Sequence, residues 1–192
     1  TIIGSWNSHN DPGFAFIHEL GHDFHWDFPG FHFNEKDGAT NEAFANFILC
    51  FAYEWLSPPE IVLDHVYTGI SDLENQFYIK HANEYLSGTR DFGRIIRNND
   101  AFTGLMLILK NQYGWKIFGD AFVMHRGLSR AQIPSTDADK AQLFVSMLSK
   151  SAGKDLSSTF RDWGFPVQSP GTQNPSIGIT GAAAKSSILV GE

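Results

Sequence analysis

His18-Glu19-Leu20-Gly21-His22 sets two imidazoles four residues apart with a carboxylate between them. On a helix the two histidines share one face, about 5–6 Å apart at Cβ. Imidazoles so placed converge on a single zinc ion at about 2.0–2.1 Å. Glu19 is turned about 100° from His18. It stands beside the ligand face, which suits a general base acting on water and not a ligand. The competing reading is a pair of ordinary histidines on one helix face.

The third ligand separates the zinc classes. A metzincin needs His-x-x-Gly-x-x-His after the second histidine, and here Asp23-Phe24-His25-Trp26-Asp27-Phe28 follows. The other solution is a glutamate on the next helix. Asn41-Glu42-Ala43-Phe44-Ala45-Asn46 supplies Glu42, 20 residues beyond His22. Asn46 lies one turn further on the same face, placed to accept the free N–H of a ligand histidine and so orient it. Glu42 could instead be a solvated acid favoured by the dipole at a helix start. His25, seven residues after His18, also falls on the ligand face, as an outer partner of the ligands, a substrate contact or a polar residue at the cleft. His32, His65, His81, His125, Tyr67, Tyr78 and Arg126 are candidates for stabilising an oxyanion, and the sequence does not choose among them.

These residues need helices to hold them. The pattern predicts a helix from about Phe14 to Asp27, after a turn at Asn10-Asp11-Pro12-Gly13 and stopped by Phe28-Pro29-Gly30. A second runs from about Asn41 to Leu56, apolar nearly all round and therefore central. Ser57-Pro58-Pro59-Glu60 reads as a helix start, and Ser71-Asp72-Leu73-Glu74 repeats the signature, with helix to Leu86. Further helices are expected at about 100–112, 115–126, 136–152 and 157–163, with Gly114, Gly127 and Gly164 as stops. No internal repeat is visible. After Pro166 the composition turns to Ser, Gly, Pro, Thr and Ala.

The totals agree with one domain or the larger part of one. The chain has 192 residues, 42% hydrophobic and 14% aromatic, with 17 Phe and only 18% charged. That is enough to bury a sizeable core. A net charge of −7 without a basic cluster argues against nucleic acid as a partner. Cys50 is the only cysteine, which excludes an intrachain disulfide and a cysteine-based metal site. It reads as a small core residue. The run Ala43 to Leu56 is broken by Asn46 and Glu54 and is too short to span a membrane. Thr1-Ile2-Ile3-Gly4 lacks the features of a signal peptide. With no initiator Met, the chain reads as a processed or truncated piece of a larger multidomain protein.

The His-Glu-Leu-Gly-His helix with Asn-Glu-Ala-x-x-Asn resembles the gluzincins, the thermolysin-type zinc peptidases. More specifically, the chain resembles the enhancin-like, mucin-targeting metallopeptidases of peptidase family M-sixty. Tyr113-Gly114-Trp115-Lys116-Ile117-Phe118 is similar to a helix start of that family. Asp139-Lys140-Ala141-Gln142-Leu143-Phe144-Val145 is similar to its late helix. Ser149-Lys150-Ser151-Ala152-Gly153-Lys154-Asp155-Leu156, Phe160 and Trp163-Gly164-Phe165-Pro166-Val167 resemble its terminal block, and the likeness covers roughly residues 13–167.

The resemblance implies a mainly α, zincin-like (gluzincin) helical subdomain, truncated at the β-rich part that precedes the zinc helix in the family. It implies a catalytic domain over 1–167 and a tail over 168–192, a linker or short strands to a following module. It implies a secreted or cell-surface endopeptidase that holds one Zn2+ per chain and cuts O-glycosylated, mucin-like glycoproteins. His18, His22 and Glu42 take the ligand roles and Glu19 the base role. Two alternatives stand beside it. One is a catalytically silent glycoprotein-binding module with a peptidase-like fold. The other is a structural zinc domain, for which His25 is the only nearby fourth ligand and lies almost two turns from His18.

Overall fold

A computed structural model describes residues 12–34, 36–62 and 66–169. The fold is mainly helical, as expected. In chain order the elements are α1 (Pro12–Trp26), a 3-10 turn (Pro29–Phe31), α2 (Ala39–Leu56), β1 (Ile61–Val62), β2 (Val66–Tyr67), α3 (Ile70–Leu73), a π-helical stretch (Glu74–Tyr78), α4 (Ile79–Ser87), α5 (Phe92–Ile95), α6 (Asn99–Tyr113), α7 (Lys116–Arg126), a second 3-10 turn (Arg130–Gln132), α8 (Asp137–Ala152) and α9 (Ser157–Asp162). The expected tail over 168–192 lies almost wholly outside the described residues.

Local sequence explains most of the ends. Pro12 opens α1 instead of forming a turn before it, because a helix's first position has no use for an N–H. Asn98 caps α6 by accepting from the Ala101 N–H, and Thr136 caps α8 by accepting from the Asp139 N–H. Gly114 and Gly153 close those two helices.

Two expected starts are corrected. No helix begins at Ser57. That residue ends α2 in a left-handed conformation (φ 46°), its N–H donating to the Tyr53 carbonyl. The chain then pairs Ile61 with Tyr67 and Val62 with Val66 in a small antiparallel hairpin. Closing an 18-residue helix outweighed a purely local capping pattern. The next helix starts at Ile70, with Gly69 before it, so Ser71 lies inside it. Asp72 there accepts from the Thr68 backbone and hydroxyl.

Most of the 17 Phe go into the core, with Phe16, Phe24 and Phe51 left exposed. Phe28, Phe31, Phe33, Phe44, Phe47, Phe102, Phe118, Phe144 and Phe160 are all nearly fully buried. Phe31 meets Phe144 edge-on at 4.9 Å and Phe28 meets Phe122 at 4.5 Å. Cys50 is buried among them, as its apolar surroundings suggested. α1 lies along α2, which in turn packs on α6; α4 also packs on α6, and α7 on α8. The terminal block fastens this arrangement. The Tyr85 hydroxyl donates to the Trp163 carbonyl at 2.7 Å, and Phe165 packs on Phe160 at 5.0 Å.

One ionic group lies inside. The Glu74 carboxylate, in the π-helical stretch and 4% exposed, accepts from Lys110 Nζ at 3.0 and 3.1 Å. Lys110 also pairs with Glu54, whose other oxygen accepts from the Trp115 indole. Burial pushes the Glu74 carboxyl up and Lys110 opposes it.

Candidate metal centre

α1 and α2 run antiparallel, and three contacts set their register. His25 Nδ1 pairs with Asn41 Oδ1 at 3.0 Å, Gly21 lies against Ala45, and Phe14 meets Tyr53 edge-on at 6.3 Å. The middle contact is the closest. A Cβ added at Gly21 would lie 2.8 Å from both the Cα and the carbonyl oxygen of Ala45. Real side-chain carbons do not approach backbone that nearly, so the glycine is what lets the two helices touch. Because they touch, a glutamate on α2 reaches histidines on α1.

Glu42 is that glutamate. One carboxylate oxygen lies 3.1 Å from His18 Nε2 and the other 3.5 Å from His22 Nε2. The two imidazoles stand edge to face at 4.7 Å. One donor atom from each of His18, His22 and Glu42 falls within 4.8 Å of the others, the single such group among the described residues. The histidine side chains are 16% and 15% exposed and that of Glu42 is 48% exposed, so the group opens to solvent on the carboxylate side.

This donor set fits a zinc ion. Two atoms each about 2.0–2.1 Å from a tetrahedral zinc lie roughly 3.4 Å apart, and the separations here are 3.1 and 3.5 Å. The outer partner fits as well. His18 Nδ1 donates to Asn46 Oδ1 at 2.9 Å, which fixes the tautomer and leaves Nε2 with its lone pair toward the group. Asn46 itself is 6% exposed. His22 Nδ1 is buried with no partner among the described residues.

Glu19 is exposed on α1, one position on from His18. His25 lies elsewhere than the cleft. It is 1% exposed, stacked on Phe44 at 4.1 Å and held by Asn41. Burial first, and then neighbouring His32, hold its pKa well below the usual histidine value. The oxyanion candidates are mostly engaged elsewhere. Tyr67 and Tyr78 are buried, His81 pairs with the Phe77 carbonyl, His32 with the His25 carbonyl, and His125 accepts from the Gly30 N–H. Arg126 is exposed at the end of α7, and His65 lies outside the described residues.

Sequence reasoning did not find the structural parts played by Gly21 and Asn41. Gly21 carried a signal, a small residue between the two histidines and on their side of the helix. Asn41 carried none beyond lying next to Glu42.

The family profile described as Peptidase M60, enhancin and enhancin-like, matches residues 4–164. TRPM8 channel-associated factor 3 of Mus musculus is 27% identical over 173 residues, covering 87% of this chain and 17% of that protein. Its Rattus norvegicus counterpart is 27% identical over 170 residues. TRPM8 channel-associated factor 1 of Homo sapiens is 32% identical over 78 residues, 40% of this chain and 8% of that protein. The chain thus spans 17% of the length of the factor 3 proteins it matches. No solved structure matches it. With the family profile running through both site helices and on to the terminal Trp163-Gly164 turn, this chain belongs to the Peptidase M60, enhancin and enhancin-like, family.

Proposed function

We propose that this chain is the helical part of a zinc-dependent endopeptidase. The observation that carries the reading is the convergence of His18, His22 and Glu42 within 4.8 Å, from two helices held in contact by Gly21. His18, His22 and Glu42 would hold one zinc ion. When bound, it would acidify a water strongly, toward neutral pH, and polarise the scissile carbonyl.

Every other part belongs to the chain. Asn46 keeps the His18 ring turned so that Nε2 faces the group. Gly21 keeps Glu42 within reach. Glu19, on the open side of α1, takes a proton from the attacking water and returns it to the leaving amine. The Glu42 side of the group, 48% exposed, is where a substrate would approach. The substrate we propose is an O-glycosylated, mucin-like protein outside the cell or at its surface, a reading that membership of the enhancin-like family supports.

A second reading has its own support. The relatives are named for association with a channel and not for cleavage. A peptidase-like module that binds glycoprotein without cutting it would fit those names. Incubation with an O-glycosylated protein, with and without a chelator, separates the two. Chelator-sensitive cleavage that is lost in Glu19→Gln supports the peptidase. Binding without any cut in the zinc-loaded chain supports the silent module.

A further inference from the structure

The segment from Phe28 to Asn34 lies between the helix of His18 and His22 and the helix of Glu42, and side-chain hydrogen bonds tie it down. The Gly30 N–H donates to His125 Nε2 at 3.0 Å. Lys140 Nζ donates to the His32 carbonyl at 2.8 Å. The Asn34 N–H donates to Asp137 Oδ1 at 3.1 Å, and the Thr40 hydroxyl to the Phe33 carbonyl at 2.5 Å. His32 Nε2 also donates to the His25 carbonyl at 2.8 Å. Of the two histidines only His125 accepts its bond, so only there does a second proton remove the bond.

The fit at Gly30 is close. A Cβ there would lie 2.6 Å from His125 Nε2, so the imidazole rests directly on the backbone. Because Nε2 accepts, the ring carries its proton on Nδ1, which is buried with no partner among the described residues. A second proton can enter only at Nε2. There it would oppose the Gly30 N–H, donor against donor, inside a pocket walled by Phe28 and Phe31.

We propose that His125 and Gly30 form an acid-released latch: protonation of the buried imidazole removes the acceptor that holds this connector, and the first turn of α2, which carries Glu42, is loosened. The ionisable groups that act on His125 are His32 on the connector and His25 on α1. Lys140 and Asp137 on α8 bind the same connector at the His32 carbonyl and the Asn34 N–H, and Arg126 follows His125 on α7. No carboxylate among them is hydrogen-bonded to the ring. Burial first, and then His32, lower the His125 pKa to about 4. The unfolded chain takes up this proton at about 6.5. Acid therefore favours the open form as pH falls from about 6.5 toward 4, and the bias levels off below that. Full release corresponds to a shift on the order of a hundredfold in the equilibrium. The latch stands whether or not the site cleaves peptide; its consequence for catalysis rests on the reading above.

The test is hydrogen exchange, read by NMR on the metal-free 192-residue chain between pH 7.5 and 4.5. The Gly30 amide should lose about tenfold or more in protection factor across that range. The Glu42 amide, which donates to the Gly38 carbonyl, should follow it. Amides in the middle of α6 should hold theirs. In His125→Gln the side-chain carbonyl can accept from Gly30 without titrating, so protection at Gly30 should become flat with pH. Constant protection at Gly30 in the parent chain would overturn the latch, and so would an undiminished loss in His125→Gln. Should that variant not fold, the parent profile alone decides.

Discussion

The chemistry proposed for this chain is concentrated in five side chains. Glu42 was legible as a candidate from its motif on the next helix, its approach to the histidines being visible only in the structure. His18 and His22, with Glu19 beside them, were legible because a helix repeats every 3.6 residues. Asn46 was legible for the same reason. Its hydrogen bond to His18 makes a quantitative prediction. Asn46→Leu should keep the fold and weaken zinc binding by about 10–100-fold, as removal of such outer partners does elsewhere. A competition titration against a chromogenic chelator measures this, and unchanged affinity would make the contact incidental. Glu19→Gln should retain zinc with kcat lowered by at least ~10²-fold, because the amide cannot take the proton. Stopped assays on a fluorogenic glycopeptide check it, and parental turnover would remove Glu19 from the reaction. The place of His25 was not legible. Whether a histidine one turn past His22 faces the cleft or the core depends on where the helices cross, and here it packs on Phe44.

Elements were easiest to read where caps and periodicity agreed, as in α6 and α8. They were hardest where a local pattern met a stronger non-local demand. Ser57-Pro58-Pro59-Glu60 has the residues of a helix start but lies where α2 must end, and Ser57 serves that end. The π-helical turn at Glu74–Tyr78 left no mark in composition, since its extra residue is accommodated by packing against α6. Two variants test how elements hold the site. Gly21→Ala should force α1 from the Ala45 backbone, destabilising the chain by roughly 1–3 kcal/mol and lowering zinc affinity as well. Urea unfolding and metal titration read these separately. Stability and affinity both at parental values would mean the close approach does not position Glu42. Lys110→Met should leave the Glu74 carboxylate buried without a counter-charge, at a cost of about 3–5 kcal/mol. A midpoint close to that of the parent in urea would show that Glu74 is readily neutralised.

At the scale of the whole molecule, most of the aromatic surplus in the composition became the packed core. Among the described residues no helix is long and apolar enough to cross a membrane. Phe16 and Leu20 on α1 remain about half exposed beside the metal group. What a single sequence could not supply was the α1–α2 contact itself, because register between two helices is set by pairs such as Gly21 with Ala45 and His25 with Asn41. Everything functional depends on that contact carrying Glu42 to the histidines. The most direct measurement is zinc content and affinity of the purified chain beside Glu42→Ala. One equivalent bound by the parent, with affinity lost by at least about a hundredfold in Glu42→Ala, is the outcome expected. Equal binding by both, or none by the parent, would contradict the account.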